Sequence, residues 1–261
     1  LGDCIMLTPA INALIENGEK IIIEMQNDQQ CREISPIFNG LEDVQFSEYP
    51  SERLYILNKD KVHTAKRALY QLGFYNKSCI PKIKLEEAEL NWATSYLSKF
   101  INPIILVNDG GGTSDPTNYR AKYVKGPPDN MQKMTDFCIS KGHTVLQFGH
   151  KREILGSGYK SFTPLEGAIY IRDLDIRQQA ACFAIIGKII AFDSGLQHLM
   201  LSVGGQAVTS IPDENLTLGY EYWDLLYPES EFEGPVRVRY INHRDFLNKK
   251  ENILNFLNET A

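Results

Sequence analysis

The chain has 261 residues, of which 43% are hydrophobic and 23% are charged, and its formal net charge is −6. The length suffices for one large domain or two modest ones, and the composition excludes a disordered chain. The negative charge excludes a surface with general attraction for nucleic acid or anionic membranes. An anionic ligand would therefore need a local basic pocket.

The five cysteines are scattered along the chain and form no close pair. This spacing argues against a disulfide framework or a structural zinc site, and it favours a reducing compartment. No apolar run approaches the roughly 20 residues that span a bilayer, and we recognise no signal peptide. We therefore expect a soluble cytoplasmic protein with no nucleic-acid partner and at most peripheral membrane contact.

Strand-like and helix-like runs alternate along the first half, which favours βαβ units and a parallel sheet. Pro9 is expected in the first turn of a helix that Gly18 ends. The three consecutive isoleucines within residues 20–25 predict a buried strand. Further strands are predicted at residues 44–46 and 54–57, and helices at residues 62–72 and 86–100.

The same alternation restarts after Asn102-Pro103, which we take as the domain boundary. The predicted strands are residues 103–107, 143–148, 169–171, 188–192 and 207–210, and the predicted helices are residues 128–140, 176–186, 196–203 and 244–257. The pattern predicts an α/β fold of two Rossmann-like domains with mostly parallel sheets. The domains are residues 1–101 and 102–242, and a C-terminal helix at 243–261 is expected to pack back on the first.

The first candidate site is the turn at Leu1-Gly2-Asp3. Glycine lets the backbone approach a ligand, and a carboxylate at a strand-to-helix turn is well placed for general-base chemistry. The alternative is that Asp3 only caps the helix. Because such a turn usually follows a buried strand, we expect one strand to be missing before Leu1.

The second candidate site is the glycine-rich segment NDGGGTS at residues 108–114, which RAKY follows at residues 120–123. Gly112, Thr113 and Ser114 offer donors to phosphate oxygens, and Lys122 would neutralise charge there. The segment is not a Walker loop, because no Gly-Lys-Ser/Thr follows, and its glycine spacing differs from the dinucleotide fingerprint. A flexible surface loop is the alternative.

The third candidate site is Asp193-Ser194-Gly195, which directly follows a predicted strand. A helix N-terminus at this turn presents free amide donors and a favourable dipole to an anion. His198 lies in the first turn of that helix. In the alternative interpretation, Asp193 caps the helix and His198 is a satisfied polar residue at the edge of the core.

Together these loops resemble glycosyltransferase family nine, the ADP-heptose:lipopolysaccharide heptosyltransferases. LGDCIMLTPAINAL is similar to the family's Gly-Asp turn and helix, and FDSGLQHL to its Asp-Ser/Thr-Gly-x-x-His-Leu segment. PIILVNDGGGTS and RAKYV stand where the family has a strand, a polar loop and a Lys-Tyr/Trp step. The resemblance spans residues 1–210. The loop at 108–114 differs from the family in its Asn-Asp start and its three glycines.

The resemblance implies a GT-B architecture and an inverting glycosyltransferase of lipopolysaccharide biosynthesis. The enzyme would move a sugar, with a heptose among the candidates, from a nucleotide-diphosphate donor to a glycan or lipid-linked glycan. By resemblance, Asp3 is the catalytic base and Lys122 lies near the donor phosphates. The donor-binding turn is Asp193, Ser194, Gly195 and His198. Two alternatives stay open: another GT-B enzyme such as a sugar-nucleotide epimerase, and a catalytically silent nucleotide-sugar-binding protein.

Two further expectations concern the acceptor and metals. A basic stretch would fit an anionic acceptor, although a solvated helix face explains it as well; it comprises Lys59, Lys61, Lys66 and Arg67. We expect no cofactor and metal-independent chemistry, because no Asp-x-Asp pair lies in the three loops. Asp173 and Asp175 have that spacing, but they lead into a helix, where capping explains them equally well.

Overall fold

The computed structural model describes residues 2–24, 35–39, 41, 44–47, 64–107, 128–148, 164–192, 194–211, 227 and 237–259. The helices are α1 (Gly2–Glu16), α2 (Thr64–Gln71), α3 (Glu87–Leu97), α4 (Pro128–Ser140), α5 (Ile176–Ile186), α6 (Gly195–Ser202), α7 (His243–Phe246) and α8 (Lys250–Glu259). The strands are β1 (Ile21–Glu24), β2 (Val44–Ser47), β3 (Pro103–Val107), β4 (Thr144–Phe148), β5 (Ile169–Ile171), β6 (Lys188–Phe192), β7 (Gln206–Ile211) and β8 (Val238–Asn242). Within these ranges, no helix has the length and apolar character needed to cross a membrane.

Six strands form a parallel sheet in the order β5-β4-β3-β6-β7-β8. This is the strand order of a doubly wound Rossmann sheet, in which the chain starts at the centre and runs outward twice. The reversal lies between β3 and β6, where Ile105 pairs with Ile189 and Val107 with Ala191. The predicted α/β fold with mostly parallel sheets is therefore confirmed.

A smaller parallel sheet pairs β1 with β2, with Ile21 opposite Val44. The strand predicted at residues 54–57 lies outside the described residues. Helices α1 and α2 pack against each other, and α1 also packs against α6. The N-terminal helices therefore share one apolar cluster with a face of the large sheet.

The large sheet is apolar on both faces, because helices cover both of them. One face packs with α1, α5 and α6 and includes Ile105, Ala191 and Ala207. The other packs with α4 and α8 and includes Ile104, Ile190 and Val208. The last helix, expected on the N-terminal half, contributes to this face: α8 packs against β7 and α4, and its apolar residues join the same cluster.

Several predicted elements differ in the structure. β8 was not predicted, because its short sequence VRYIN is neither a continuous apolar run nor a strict alternation. Among the described strands, β7 pairs with it, and β8 forms the edge of the large sheet. The single helix expected at 244–257 is divided into α7, a short 3₁₀ segment at Leu247–Lys249, and α8. Five predicted elements have the observed bounds: Pro103–Val107, Pro128–Ser140, Ile169–Ile171, Ile176–Ile186 and Lys188–Phe192.

Pro9 lies in the middle of α1 and not in its first turn, because the helix already begins at Gly2. Proline has no N–H, so it leaves the carbonyl four residues earlier without its helical donor. The Thr8 hydroxyl donates to that carbonyl oxygen, of Ile5, at 2.8 Å. The neighbouring side chain thus replaces the lost bond, which lets the helix continue to Glu16.

Helix α3, which the predicted boundary places in the first domain, packs against α5 of the large sheet. Arg177 of α5 donates from Nε and Nη2 to the two carboxylate oxygens of Glu89, at 2.7 and 2.5 Å. Burial alone would raise the pKa of Glu89, but the hydrogen bonds from Arg177 and the Glu86 backbone lower it overall. This ion pair attaches α3 to α5, which packs on the large sheet. The domain boundary at residue 101 stays a prediction.

Gly205 lies between α6 and β7, where a side chain has no room. A Cβ there would lie 2.1 Å from Sδ of Met200 and 3.1 Å from the carbonyl oxygen of Gly187. Met200 is fully buried, so its thioether has no open space to enter. We expect Gly205→Ala to lower the free energy of unfolding by roughly 1–3 kcal/mol, measured by urea denaturation. In a Met200→Ala background the same change should cost less, and equal costs in both backgrounds would contradict this explanation.

Candidate functional site

The switch point of the large sheet lies between the carboxyl ends of β3 and β6. Ligands bind in the crevice outside such ends, because the two loops that follow diverge to opposite faces of the sheet. β3 ends at Val107, directly before the predicted loop at 108–114. β6 ends at Phe192, directly before the predicted Asp193-Ser194-Gly195 turn. Two of the three predicted sites therefore follow strands that are neighbours in the sheet.

Helix α6 starts at this edge with Ser194 as its N-cap. The backbone of Ser194 is extended, with φ −156° and ψ 160°, and its side chain makes no capping hydrogen bond. The Gln197 N–H donates to the Ser194 carbonyl oxygen at 3.2 Å. The N–H groups of Gly195 and Leu196, which come before it, have no carbonyl within the helix to pair with, and the helix dipole adds positive potential there. The start of α6 therefore has the properties of an anion-binding site.

Three side-chain atoms in the first turn of α6 are buried and have no hydrogen-bond partner in the described part of the chain. They are Oγ of Ser194 and both amide atoms of Gln197. Ser194 is 8% exposed and Gln197 is 0% exposed. A buried polar group left unpaired costs on the order of 1–3 kcal/mol, so native proteins retain few of them. Hydrogen-bonding capacity at this position is therefore available to a ligand.

His198 follows directly and is also buried, at 2% exposure. Its Nδ1 lies 2.9 Å from the hydroxyl of Tyr227, and the two rings meet edge to face at 5.6 Å. Burial lowers the pKa of His198 to about 4, so the imidazole is neutral at physiological pH. Each nitrogen of a neutral imidazole can donate or accept according to its tautomer. The contact between Nδ1 and the Tyr227 hydroxyl therefore determines whether Nε2 acts as a hydrogen-bond donor or as an acceptor.

Tyr227 is held in place by the sheet. Its backbone N–H donates to the hydroxyl of Tyr240 on β8 at 2.9 Å. No sequence signal indicates a role for this residue, because it lies in a Tyr/Trp/acid-rich stretch without periodicity. Only the fold brings it to His198, 29 positions earlier in the chain.

A second set of hydrogen-bonded polar residues lies on the opposite face of the sheet, and the sequence patterns did not indicate it either. Oγ of Ser210, on β7, lies 2.7 Å from Nδ1 of His243. The carbonyl oxygen of His243 accepts from the Asn130 amide at 3.0 Å, and its ring meets Phe192 edge to face. Because Ser210 is fully buried and the set is internally hydrogen-bonded, it attaches β7 and α4 to the last helices.

The predicted site residues are described to different extents. The backbone of Asp3 lies in the first turn of α1, and its side chain is outside the described set. Lys66 of α2 donates to the carbonyl oxygen of Lys77 at 3.3 Å and lies 5.4 Å from the ring centre of Tyr70, and Arg67 follows it on the same helix. The structure brings Ser194, Gly195 and His198 together in one turn. The remaining predictions fall outside the described residues: Lys59, Lys61, Gly112, Thr113, Ser114, Lys122 and Asp193.

No protein-family model matches this sequence, and no curated protein matches it. Solved structures do match it. A glycosyl transferase of family 9 from Veillonella parvula shares 15% identity and a TM-score of 0.50, over 95% of this chain and 70% of that one. This chain has the fold of a family-nine glycosyltransferase.

Two structures of TibC, an iron-containing dodecameric glycosyltransferase from enterotoxigenic E. coli, agree with this result. One shares 18% identity and a TM-score of 0.55, over 81% of this chain and 55% of that one. The other, in complex with ADP-D-beta-D-heptose, shares 16% identity and a TM-score of 0.57, over 87% and 57%. This chain thus spans little more than half the length of TibC. The family resemblance found in the motifs is confirmed as a likeness of fold.

The lowered pKa of His198 predicts a pH-dependent stability. Because the folded state keeps this imidazole neutral, its stabilising contribution is fully present above the unfolded pKa of about 6.5 and is lost as the pH falls toward 4. We expect the difference in unfolding free energy between the wild type and His198→Asn to narrow between about pH 7 and about pH 5. Urea denaturation across this range measures it.

The comparison isolates one histidine, because burial also lowers the pKa of His143 but that residue is present in both proteins. Asparagine keeps a hydrogen-bonding atom close to the position of Nδ1, so the Tyr227 hydroxyl retains a partner. A difference independent of pH would mean that His198 titrates as an exposed histidine does.

Proposed function

We propose that this chain is a glycosyltransferase that binds a nucleotide-diphosphate sugar at the carboxyl edge of the large sheet. The observation that carries the proposal is the first turn of α6, which places unpaired, buried hydrogen-bonding groups of Ser194 and Gln197 at the switch point. The fold shared with a family 9 glycosyl transferase, and with TibC in complex with ADP-D-beta-D-heptose, supports the same assignment.

The donor diphosphate is proposed to lie against the start of α6. The backbone N–H groups at Ser194 and Gly195 would donate to phosphate oxygens, and the helix dipole would favour the charge. Asp193 and His198 would complete this turn. From the other side of the crevice, the loop after β3 would add Gly112, Thr113, Ser114 and Lys122. Stabilising the departing diphosphate is the main electrostatic task of such a reaction.

The acceptor hydroxyl is proposed to lose its proton to Asp3 as it attacks the anomeric carbon from the face opposite the leaving group, which inverts the configuration. The packing of α1 on α6 supports this arrangement, because it makes the helix that carries Asp3 a neighbour of the helix that begins the donor turn. The transferred sugar, with a heptose as the leading candidate, would go to a glycan or lipid-linked glycan.

The basic residues of the N-terminal half are proposed to contact an anionic acceptor, as in lipopolysaccharide biosynthesis in the cytoplasm. They are Lys59, Lys61, Lys66 and Arg67. The contacts of Lys66 with Lys77 and Tyr70 make it the weakest member of this set, because its ammonium already has partners within the protein.

We propose that no metal ion takes part in the transfer, because Lys122 and the start of α6 can neutralise the diphosphate. Asp175, half of the Asp-x-Asp pair, caps α5 by accepting from the Gln178 backbone N–H at 2.8 Å. Its carboxylate therefore caps a helix, as the capping interpretation predicted. TibC is an iron-containing protein, so the rate of this protein is compared with and without a chelator.

Donor binding is the first test. Titration calorimetry with ADP-D-beta-D-heptose, ADP-glucose, UDP-glucose and GDP-mannose should show binding of at least one of them by the wild type. Asp193→Ala should weaken that binding by roughly 1–3 kcal/mol, since a hydrogen bond to a charged partner is lost. Asp173→Ala is the matched control, because this exposed carboxylate precedes α5 at a distant part of the same edge. Equal affinity in all three proteins would leave the Asp193 turn as a helix start only.

Turnover is the second test and separates an enzyme from a silent binding protein. We expect Asp3→Asn to retain donor affinity and the midpoint of thermal unfolding, and to lower the initial rate at least about 100-fold, as the loss of a general base does. Near wild-type rates would mean that Asp3 is not the general base and only caps the helix. Rates of the wild type should be equal in EDTA and in added Mg²⁺. A requirement for metal would overturn the metal-free mechanism and make Asp173 and Asp175 the first residues to mutate.

A further inference from the structure

Helices α5 and α6 begin with matching sequence patterns but different hydrogen bonding. In a capping box, the N-cap side chain and the side chain three residues later each accept the other residue's backbone N–H. On α5, the Asp175 carboxylate accepts from the Gln178 N–H at 2.8 Å, and Oε1 of Gln178 accepts from the Asp175 N–H at 3.0 Å. This box is closed, and it shows that a glutamine of this chain can close one.

On α6, Ser194 and Gln197 stand at the same two positions, yet the box is open. Oγ of Ser194 makes no capping bond, and neither amide atom of Gln197 has a partner among the described residues. Both side chains are more than nine-tenths buried, and these three atoms are out of reach of solvent. An open box in a buried helix costs stability, whereas the closed form would give Oγ of Ser194 and Oε1 of Gln197 local donors. Nε2 of Gln197, a donor, would need another partner even then.

The open groups have a defined chemistry. Side chains three positions apart lie on the same side of a helix, so those of Ser194 and Gln197 lie together beside the N–H groups of Gly195 and Leu196, which no carbonyl within the helix can pair with. The serine hydroxyl, the Gln197 Nε2 hydrogens and the backbone N–H groups are donors, whereas Oε1 of Gln197 is an acceptor. A ligand that satisfies the whole set carries anionic oxygens next to a hydroxyl group.

We infer that the side chains of Ser194 and Gln197 bind the donor instead of forming a capping box, and that Oε1 of Gln197 recognises a hydroxyl group next to the diphosphate of the donor. The identity of this ligand rests on the proposed function, whereas the open box does not. In a nucleotide sugar, such hydroxyls lie on the ribose on one side of the diphosphate and on the transferred sugar on the other. Gln197 is thus a specificity residue that lies between the Gly195 and His198 positions of the family motif.

Stability comparison of two matched variants tests the open box without any ligand. Methionine has nearly the length of glutamine and no amide, so Gln197→Met removes the unpaired polar atoms and retains packing. We expect its midpoint of urea unfolding to equal or exceed that of the wild type. Gln178→Met, which breaks the closed box on α5, should lower the midpoint. A comparable loss in Gln197→Met would show that Gln197 is structural and would overturn the inference.

Ligand binding tests the recognition. The wild type and Gln197→Met are titrated with pyrophosphate, with ADP, UDP and GDP, and with ADP-D-beta-D-heptose, ADP-glucose, UDP-glucose and GDP-mannose. For the nucleotide sugar that the wild type binds, we expect about tenfold weaker binding by the variant, because one hydrogen bond in a buried site is lost. Pyrophosphate, which carries no hydroxyl, should bind both proteins alike.

The probes also distinguish the two hydroxyl sources. Weaker binding of the nucleoside diphosphate as well places the recognised hydroxyl on the ribose, and a loss confined to the nucleotide sugar places it on the transferred sugar. Equal affinity of both proteins for the nucleotide sugar overturns the recognition by Gln197. If the wild type binds no nucleotide sugar, the proposed function fails. The stability comparison then tests the open box alone: an equal or higher midpoint of unfolding in Gln197→Met supports it, and a lower midpoint overturns it.

Discussion

The parallel pairing of β3 with β6 is the interaction on which the rest of the molecule depends. It joins the two directions in which the sheet is wound, so that helices cover both faces and every central strand is buried. Because neighbouring parallel strands end at the same edge, it also places the start of α6 at the same edge of the sheet as the end of β3, at Val107. The pairing of β3 with β6 therefore determines both the fold and the position of the candidate site.

The burial of α6 explains the chemistry of its first turn. Every residue from Gln197 to Ser202 is buried between the sheet, α5 and α1, so that polar groups there cannot be satisfied by solvent. Burial keeps His198 neutral through its lowered pKa, and it leaves Ser194 and Gln197 with unpaired atoms. Binding sites commonly retain such locally unfavourable groups, at a cost that the rest of the core offsets.

The same burial couples the two halves of the chain. α1 rests on α6, and α3 is attached to α5 through the paired charges of Arg177 and Glu89. Each N-terminal contact is therefore made with a helix that packs on the large sheet. In the proposed enzyme, this packing sets the position of the helix with the catalytic base relative to the helix that begins the donor turn.

Local patterns were sufficient for the central elements. The runs PIILV and KIIAF were predicted with their observed bounds, because a strand buried on both faces is continuously apolar and cannot be confused with its polar flanks. The turn ending in Ser194-Gly195 was predicted for a similar reason, since a polar turn directly after such a strand marks a helix start. Edge strand β8 escaped prediction because polar residues interrupt its short sequence VRYIN, which is neither continuously apolar nor strictly alternating.

Tertiary structure alone decided which polar groups meet. Tyr227 reaches His198 through the winding of the sheet, and Ser210 reaches His243 in the same way. Gln178 and Gln197 follow their N-caps at the same interval, yet only Gln178 closes its capping box. By itself, the sequence determined the central elements, the parallel sheet and the start of α6 at Gly195, because these depend on apolar periodicity and local capping residues. The hydrogen-bond partners depend on contacts between distant segments, which periodicity does not encode.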